Sequence, residues 1–96
     1  MTAQTVKKWA GEGRQGLHLW CPGCEAVHGV RTSPAGWTWN GDLVKPTLSP
    51  SLLTTDGMGT VCHCFVRDGR IEFLNDSTHA LAGKTVDLPP WPYTGE

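Results

Sequence analysis

Cys21-Pro22-Gly23-Cys24 is the stretch with the plainest chemical meaning. Two cysteines at this spacing form a tight turn that aims both sulfurs at one corner of a tetrahedron, and Gly23 tolerates the backbone twist this needs. Two soft thiolates joined by further thiolate or imidazole donors suit zinc, which undergoes no redox change. A redox-active Cys-x-x-Cys opens a helix, whereas this one lies between strand-like segments. A rubredoxin-type iron centre needs a second such turn, and the chain has one.

The closing ligands must come from Cys62, His63, Cys64, His79 or His28. Side chains alternate along a strand, so Cys62 and Cys64 share a face about 7 Å apart while His63 points the other way. His79 follows the strand that faces Cys62. The favoured metal set is therefore Cys21, Cys24, Cys62 and His79, with His63 the first substitute and Cys64 the second. Cys64 also fits as a small core residue. His28, four residues after Cys24, can close the site, although His18 and His28 both fit better as supports of ligands or as surface residues.

Other groups suggest binding. Trp37 and Trp39 alternate onto one face beside Asn40-Gly41, an aromatic platform for a partner or a brace for the sheet. Arg67 and Arg70 flank a turn and, with Arg31, are the candidate anion contacts. For catalysis, no Ser-His-Asp grouping, phosphate-cradling glycine loop or His-Glu-x-x-His helix stands out. A catalytic zinc would need an open coordination position and a base, for which Glu25 or Asp76 is at hand.

The elements that position these residues read as short strands. Twelve glycines and seven prolines are scattered as punctuation, and no sustained 3.6-residue periodicity appears. Residues 17–20 start a first strand and 26–31 return from the Cys-x-x-Cys turn. Residues 37–39 alternate into Asn40-Gly41, a strong hairpin dipeptide. Residues 61–75 read as a hairpin about Asp68-Gly69, pairing Arg67 with Arg70, Val66 with Ile71 and Cys64 with Phe73. Cys62, Cys64, Val66, Ile71 and Phe73 then face inward. Residues 76–82 read as a short capped helix ending at Gly83, and 84–88 as a last strand.

Ninety-six residues make one domain with a thin stability margin, the situation in which a metal staple is recruited. The division read is a flexible arm over 1–16, a zinc-binding β domain over 17–88 and an extended proline-rich tail over 89–96. The fold class expected is mostly β: a small zinc-stapled antiparallel sheet of zinc-ribbon type with one short helix. A net charge of −1 gives no strong field toward nucleic acid. No stretch is apolar enough to span a membrane, and the expected location is the cytoplasm.

Taken together, Trp20-Cys-Pro-Gly-Cys24, Trp37-Thr-Trp39-Asn-Gly41, Ser49-Pro-Ser51, Cys62-His63-x-Phe65-Val66 and Asp76-x-x-His79-x-Leu81-Ala-Gly83 resemble a small uncharacterised family of tailed phages and prophages. Its members often carry the label ammonia monooxygenase, which a chain with no copper site does not support. The resemblance covers about residues 17–88 and implies a phage origin and metal binding. The family pattern commonly has Cys at position 77, where this chain has Ser77. That implies a metal site resting on Cys21, Cys24, Cys62 or His63, and His79. The function expected is a zinc-stabilised interaction module directed at a host protein or host defence. The alternatives are a small zinc hydrolase with His63 near the metal and a nucleic-acid-binding zinc ribbon using Trp37, Trp39 and the arginines.

Overall fold

The fold is known from a computed structural model that describes residues 3–93. Residues 1–2 of the expected arm and 94–96 of the expected tail lie outside the described residues. The described chain is all β, with eight strands in two antiparallel sheets. The first sheet contains β1 (Val6–Gly11), β2 (Arg14–Cys21) and β3 (Ala26–Ser33), in that order. The second contains β4 (Thr38–Trp39), β5 (Leu48–Thr55), β6 (Val61–Arg67), β7 (Arg70–Phe73) and β8 (Thr85–Asp87), also in chain order.

Period-two alternation builds one core from both sheets. Leu17, Leu19 and Cys21 of β2 point in with Val30 of β3, and meet Leu52, Cys62, Cys64, Val66, Ile71 and Phe73 of the second sheet. The β6–β7 hairpin has the register expected from its sequence, Cys64 opposite Phe73, Val66 opposite Ile71 and Arg67 opposite Arg70. Asp68 and Gly69 hold the turn with φ of 50° and 76°, the positive values that a right-twisted two-residue connection requires.

Three expectations need correction. Residues 6–16 are no arm, because β1 pairs along its length with β2, which begins at Arg14. Asn40-Gly41 does not close a two-residue hairpin. It opens a loop over 40–47, organised by the Asn40 side-chain carbonyl, which accepts from the Asp42 and Thr47 amides, and by Asp42, which accepts from Val44 and Lys45. Among the described residues there is no helix, and 76–82 is a run of turns. The amides that would close helical turns are used elsewhere: Thr78 N–H donates to Val61 O and Gly83 N–H to Phe73 O. A seven-residue helix has little stability of its own, so bonding to the neighbouring strands prevails.

That loop fills a gap in the sheet. β7 pairs with β6 only from Cys64 to Arg67, which leaves Val61 and His63 with no strand on that side. Ser77 and Thr78 take its place. Ser77 Oγ accepts from His63 N–H and donates to His63 O, and Thr78 Oγ1 does the same for Val61. On the other side of β6, the β5 register jumps between Leu48 and Leu52, so Ser49, Pro50 and Ser51 form an irregular bulge. Bulges redirect side chains and recur beside functional sites.

Candidate active site and metal centre

Two clusters lie on adjoining residues of β6. The inward one joins Cys21, Cys24, Cys62 and His79, whose ligand atoms all lie within 4.8 Å of one another. Cys21 ends β2, Cys24 closes the turn, Cys62 lies on the inner face of β6, and His79 comes from the 74–83 loop. This is the set favoured from the sequence. The Cys24 amide donates to the Cys21 sulfur at 3.3 Å, as the tight turn implies. All four cysteines are free thiols.

The donors fit a metal ion on three counts. The sulfurs of Cys21 and Cys62 are 3.7 Å apart, close to the roughly 3.8 Å edge of a tetrahedron with metal–sulfur bonds of about 2.3 Å. His79 Nε2 is buried with no hydrogen-bond partner, which is costly unless something ligates it. A Cβ at Gly23 would lie 2.3–2.6 Å from the His79 ring atoms, so glycine is what lets the imidazole reach the turn. The thiols are held protonated in the absence of a metal. Sharing a proton with Cys62, together with burial, pushes Cys21 up to about 12. Burial and then the neighbouring Cys21 raise Cys24. For Cys62 the bond with Cys21 lowers the pKa, but the adjacent Cys64 thiol and burial outweigh it and push the group well up. A divalent cation displaces such protons when it binds.

Cys64 is a fully buried core residue outside this cluster. His28 is buried on β3 against Cys21, the place of a ligand's support, and His18 lies on the outer face between Trp9 and Trp91.

His63 is not with the cysteines. Parity turns it to the opposite face of β6, and there it joins a second cluster. Ser51 Oγ lies 3.1 Å from His63 Nε2, and His63 Nδ1 lies 3.0 Å from Asp76 Oδ2 and 3.3 Å from Oδ1. The sequence expectation that no Ser-His-Asp grouping exists is therefore overturned. Asp76 accepts from Nδ1–H, which leaves Nε2 free to accept the Ser51 hydroxyl proton, the tautomer that a general base needs. The bulge aims Ser51 from β5, the Ser77 clamp fixes the backbone of His63, and the same loop carries Asp76. His63 is 25% exposed and Asp76 58%, so the acid is more solvated than in a deeply buried triad.

The other expected binding residues are engaged within the fold. Trp37 and Trp39 pack against the core, with indole N–H groups donating to Ser51 O and Asp42 O. Arg67 pairs with Glu72 at 3.0 Å and stacks over Phe65, and Arg70 lies 3.5 Å from Asp87.

The fold and the two clusters together define a small β protein with a serine–histidine–aspartate grouping built beside a Cys3His cluster that could hold a metal ion. Residues 2–74 match the family model described as bacterial ubiquitination-like system serine protease, BubE, and the chain belongs to that family. The matched stretch contains Ser51 and His63 and ends two residues before Asp76. No curated protein and no solved structure matches the chain. Among the described residues, no helix is long and apolar enough to cross a membrane.

Proposed function

We propose that this chain is a serine peptidase of a bacterial ubiquitination-like system, with Ser51 as nucleophile, His63 as general base and Asp76 as the group that orients His63. The observation that carries this reading is the pair of hydrogen bonds Ser51–His63–Asp76, formed by side chains from three separate segments. In the reaction, Ser51 Oγ attacks the scissile carbonyl as His63 Nε2 takes its proton. Asp76 stabilises the resulting imidazolium, which then protonates the departing amine. Water, deprotonated by the same nitrogen, releases the acyl group from Ser51 and restores the hydroxyl.

Zinc is the metal we propose for Cys21, Cys24, Cys62 and His79, because three thiolates and an imidazole suit it and four protein ligands make a closed, structural site. Bound there, it would supply cross-linking. Cys62 adjoins His63 in the chain and His79 lies three residues after Asp76, so the staple holds the two segments that carry the base and its orienting acid. The protein partner expected from the sequence becomes, on this reading, the substrate.

The test is turnover of an unfolded protein such as carboxymethylated casein, or of an activated ester, by the zinc-loaded chain. Hydrolysis with a burst of acyl-enzyme, abolished in Ser51→Ala at unchanged zinc content, supports the reading. Equal turnover by Ser51→Ala overturns it.

A further inference from the structure

β5 has an open edge that begins at the nucleophile. Its outer neighbour β4 reaches only Ser49 and Leu48, and no strand covers residues 51–55 on that side. The direction of the backbone groups there follows from β6. Val61 and His63 use their N–H and C=O groups on Thr78, Ser77 and Leu74, away from β5. Residues opposite each other in an antiparallel ladder either bond mutually or both point away. Thr55 and Leu53, opposite Val61 and His63, therefore direct their own N–H and C=O groups outward. The Ser51 carbonyl points the same way and accepts from the Trp37 indole.

Beyond this edge lies a groove of about 310 Å³, bounded by Thr54 and Thr55 on one side and by Val27 and His28 of the edge strand β3 on the other. Cys24 of the metal cluster also lines the groove, and His28, buried there, is engaged with the Cys21 thiol. Leu53, 61% exposed, and Val27, 38% exposed, are two of the few large apolar side chains left open to solvent among the described residues. Leu53 lies directly opposite His63, on the triad's face of the sheet. Unpaired backbone groups of Leu53 and Thr55 and the exposed Leu53 side chain thus lead to Ser51, with the groove at the Thr55 end of the same edge.

We propose that the substrate binds as an extended segment added antiparallel to β5 along residues 51–55. This rests on the serine-peptidase reading and names its substrate class: an unfolded stretch of polypeptide, in preference to a folded surface loop or a small ester. Main-chain bonds to Leu53 and Thr55 supply register, and alternate side chains meet Leu53 and the groove. Antiparallel to β5, the segment runs from Thr55 toward Ser51, so the acyl side lies along the open edge. Continuing straight would carry it into Trp37 and β4. The leaving side must therefore turn out of the sheet at Ser51, and a short or flexible leaving segment is favoured.

The experiment compares rates of covalent modification of Ser51 in the intact chain. The probes are a small alkyl fluorophosphonate, a pool of randomised tetrapeptidyl phosphonates, and the same pool with its backbone N-methylated. Each lost main-chain bond costs about 1 kcal/mol, so the unmethylated pool should react about ten-fold or more faster than its methylated counterpart. Leu53→Glu should lower the pool's rate relative to that of the alkyl probe. Equal rates for both pools overturn the proposal. So does a concentration-dependent dimer in sedimentation whose formation slows the pool, because the edge would then belong to a second copy. Failure of every probe to modify Ser51 overturns the peptidase reading instead.

Discussion

His63 illustrates how one residue is committed by its neighbours on all sides. Its ring bridges Ser51 and Asp76, while its backbone N–H and C=O are both bonded to the Ser77 hydroxyl. His63→Ala should slow acylation of Ser51 at least about a thousand-fold, because among the described residues His63 is the base hydrogen-bonded to the hydroxyl. Asp76→Asn should cost less than the roughly 10⁴-fold seen where such an acid is buried, since solvent screens an acid that is 58% exposed. Single-turnover labelling of the two variants checks both. Ser77→Ala strands the His63 amide, while the His63 carbonyl keeps its bond from the Leu74 amide. It should lower stability by about 1–3 kcal/mol in denaturant titration, with a fall in kcat larger than any change in KM.

Among the elements, the Cys-x-x-Cys turn and the 74–83 loop depend on each other through Gly23 and His79. Gly23→Ala would drive a methyl group into the imidazole, and zinc stoichiometry measured after gel filtration should fall well below one. The loop over 40–47 should respond to pH. The amides of Lys45 and Val44 donating to Asp42 hold its carboxyl below its ordinary value of 3.8. A folded pKa below the unfolded one means that the stabilisation is present above 3.8 and is lost as the pH falls through the folded value. The protection factors of the Val44 and Lys45 amides, measured against their intrinsic exchange rates, should therefore fall in acid before global unfolding begins. The elements were unequally legible from sequence. The β6–β7 hairpin and the metal set could be read because a turn dipeptide, a Cys-x-x-Cys spacing and strand parity are local rules. The triad could not, since Ser51, His63 and Asp76 are brought together by a bulge at 49–51 and by a loop that replaces a missing strand. Neither feature has a local signature. The misread helix at 76–82 hid Asp76 further, because a helical Asp76 would have been an N-terminal cap and not a partner for His63.

At the scale of the whole molecule, the cysteine and histidine cluster joins the first sheet to the second at the end where the triad sits. Two rather small sheets share the core, so a metal cross-link between them would contribute a large share of the stability. Removing the metal with a chelator should lower the melting temperature by about 10 °C or more, since each kcal/mol is worth roughly 4–8 °C in a domain this size. Acylation of Ser51 should be lost along with it, because β6 and the 74–83 loop would no longer be tied together. Re-addition of zinc should restore both. On the reading proposed above, a metal-stapled β fold presents Ser51 as an activated nucleophile. The most direct test is mass spectrometry of the zinc-loaded chain after treatment with a fluorophosphonate, with His63→Ala as the control. A single adduct mapped to Ser51 is expected in the parent chain and none in the variant over the same time. An unmodified Ser51, or equal modification in both chains, would contradict that reading.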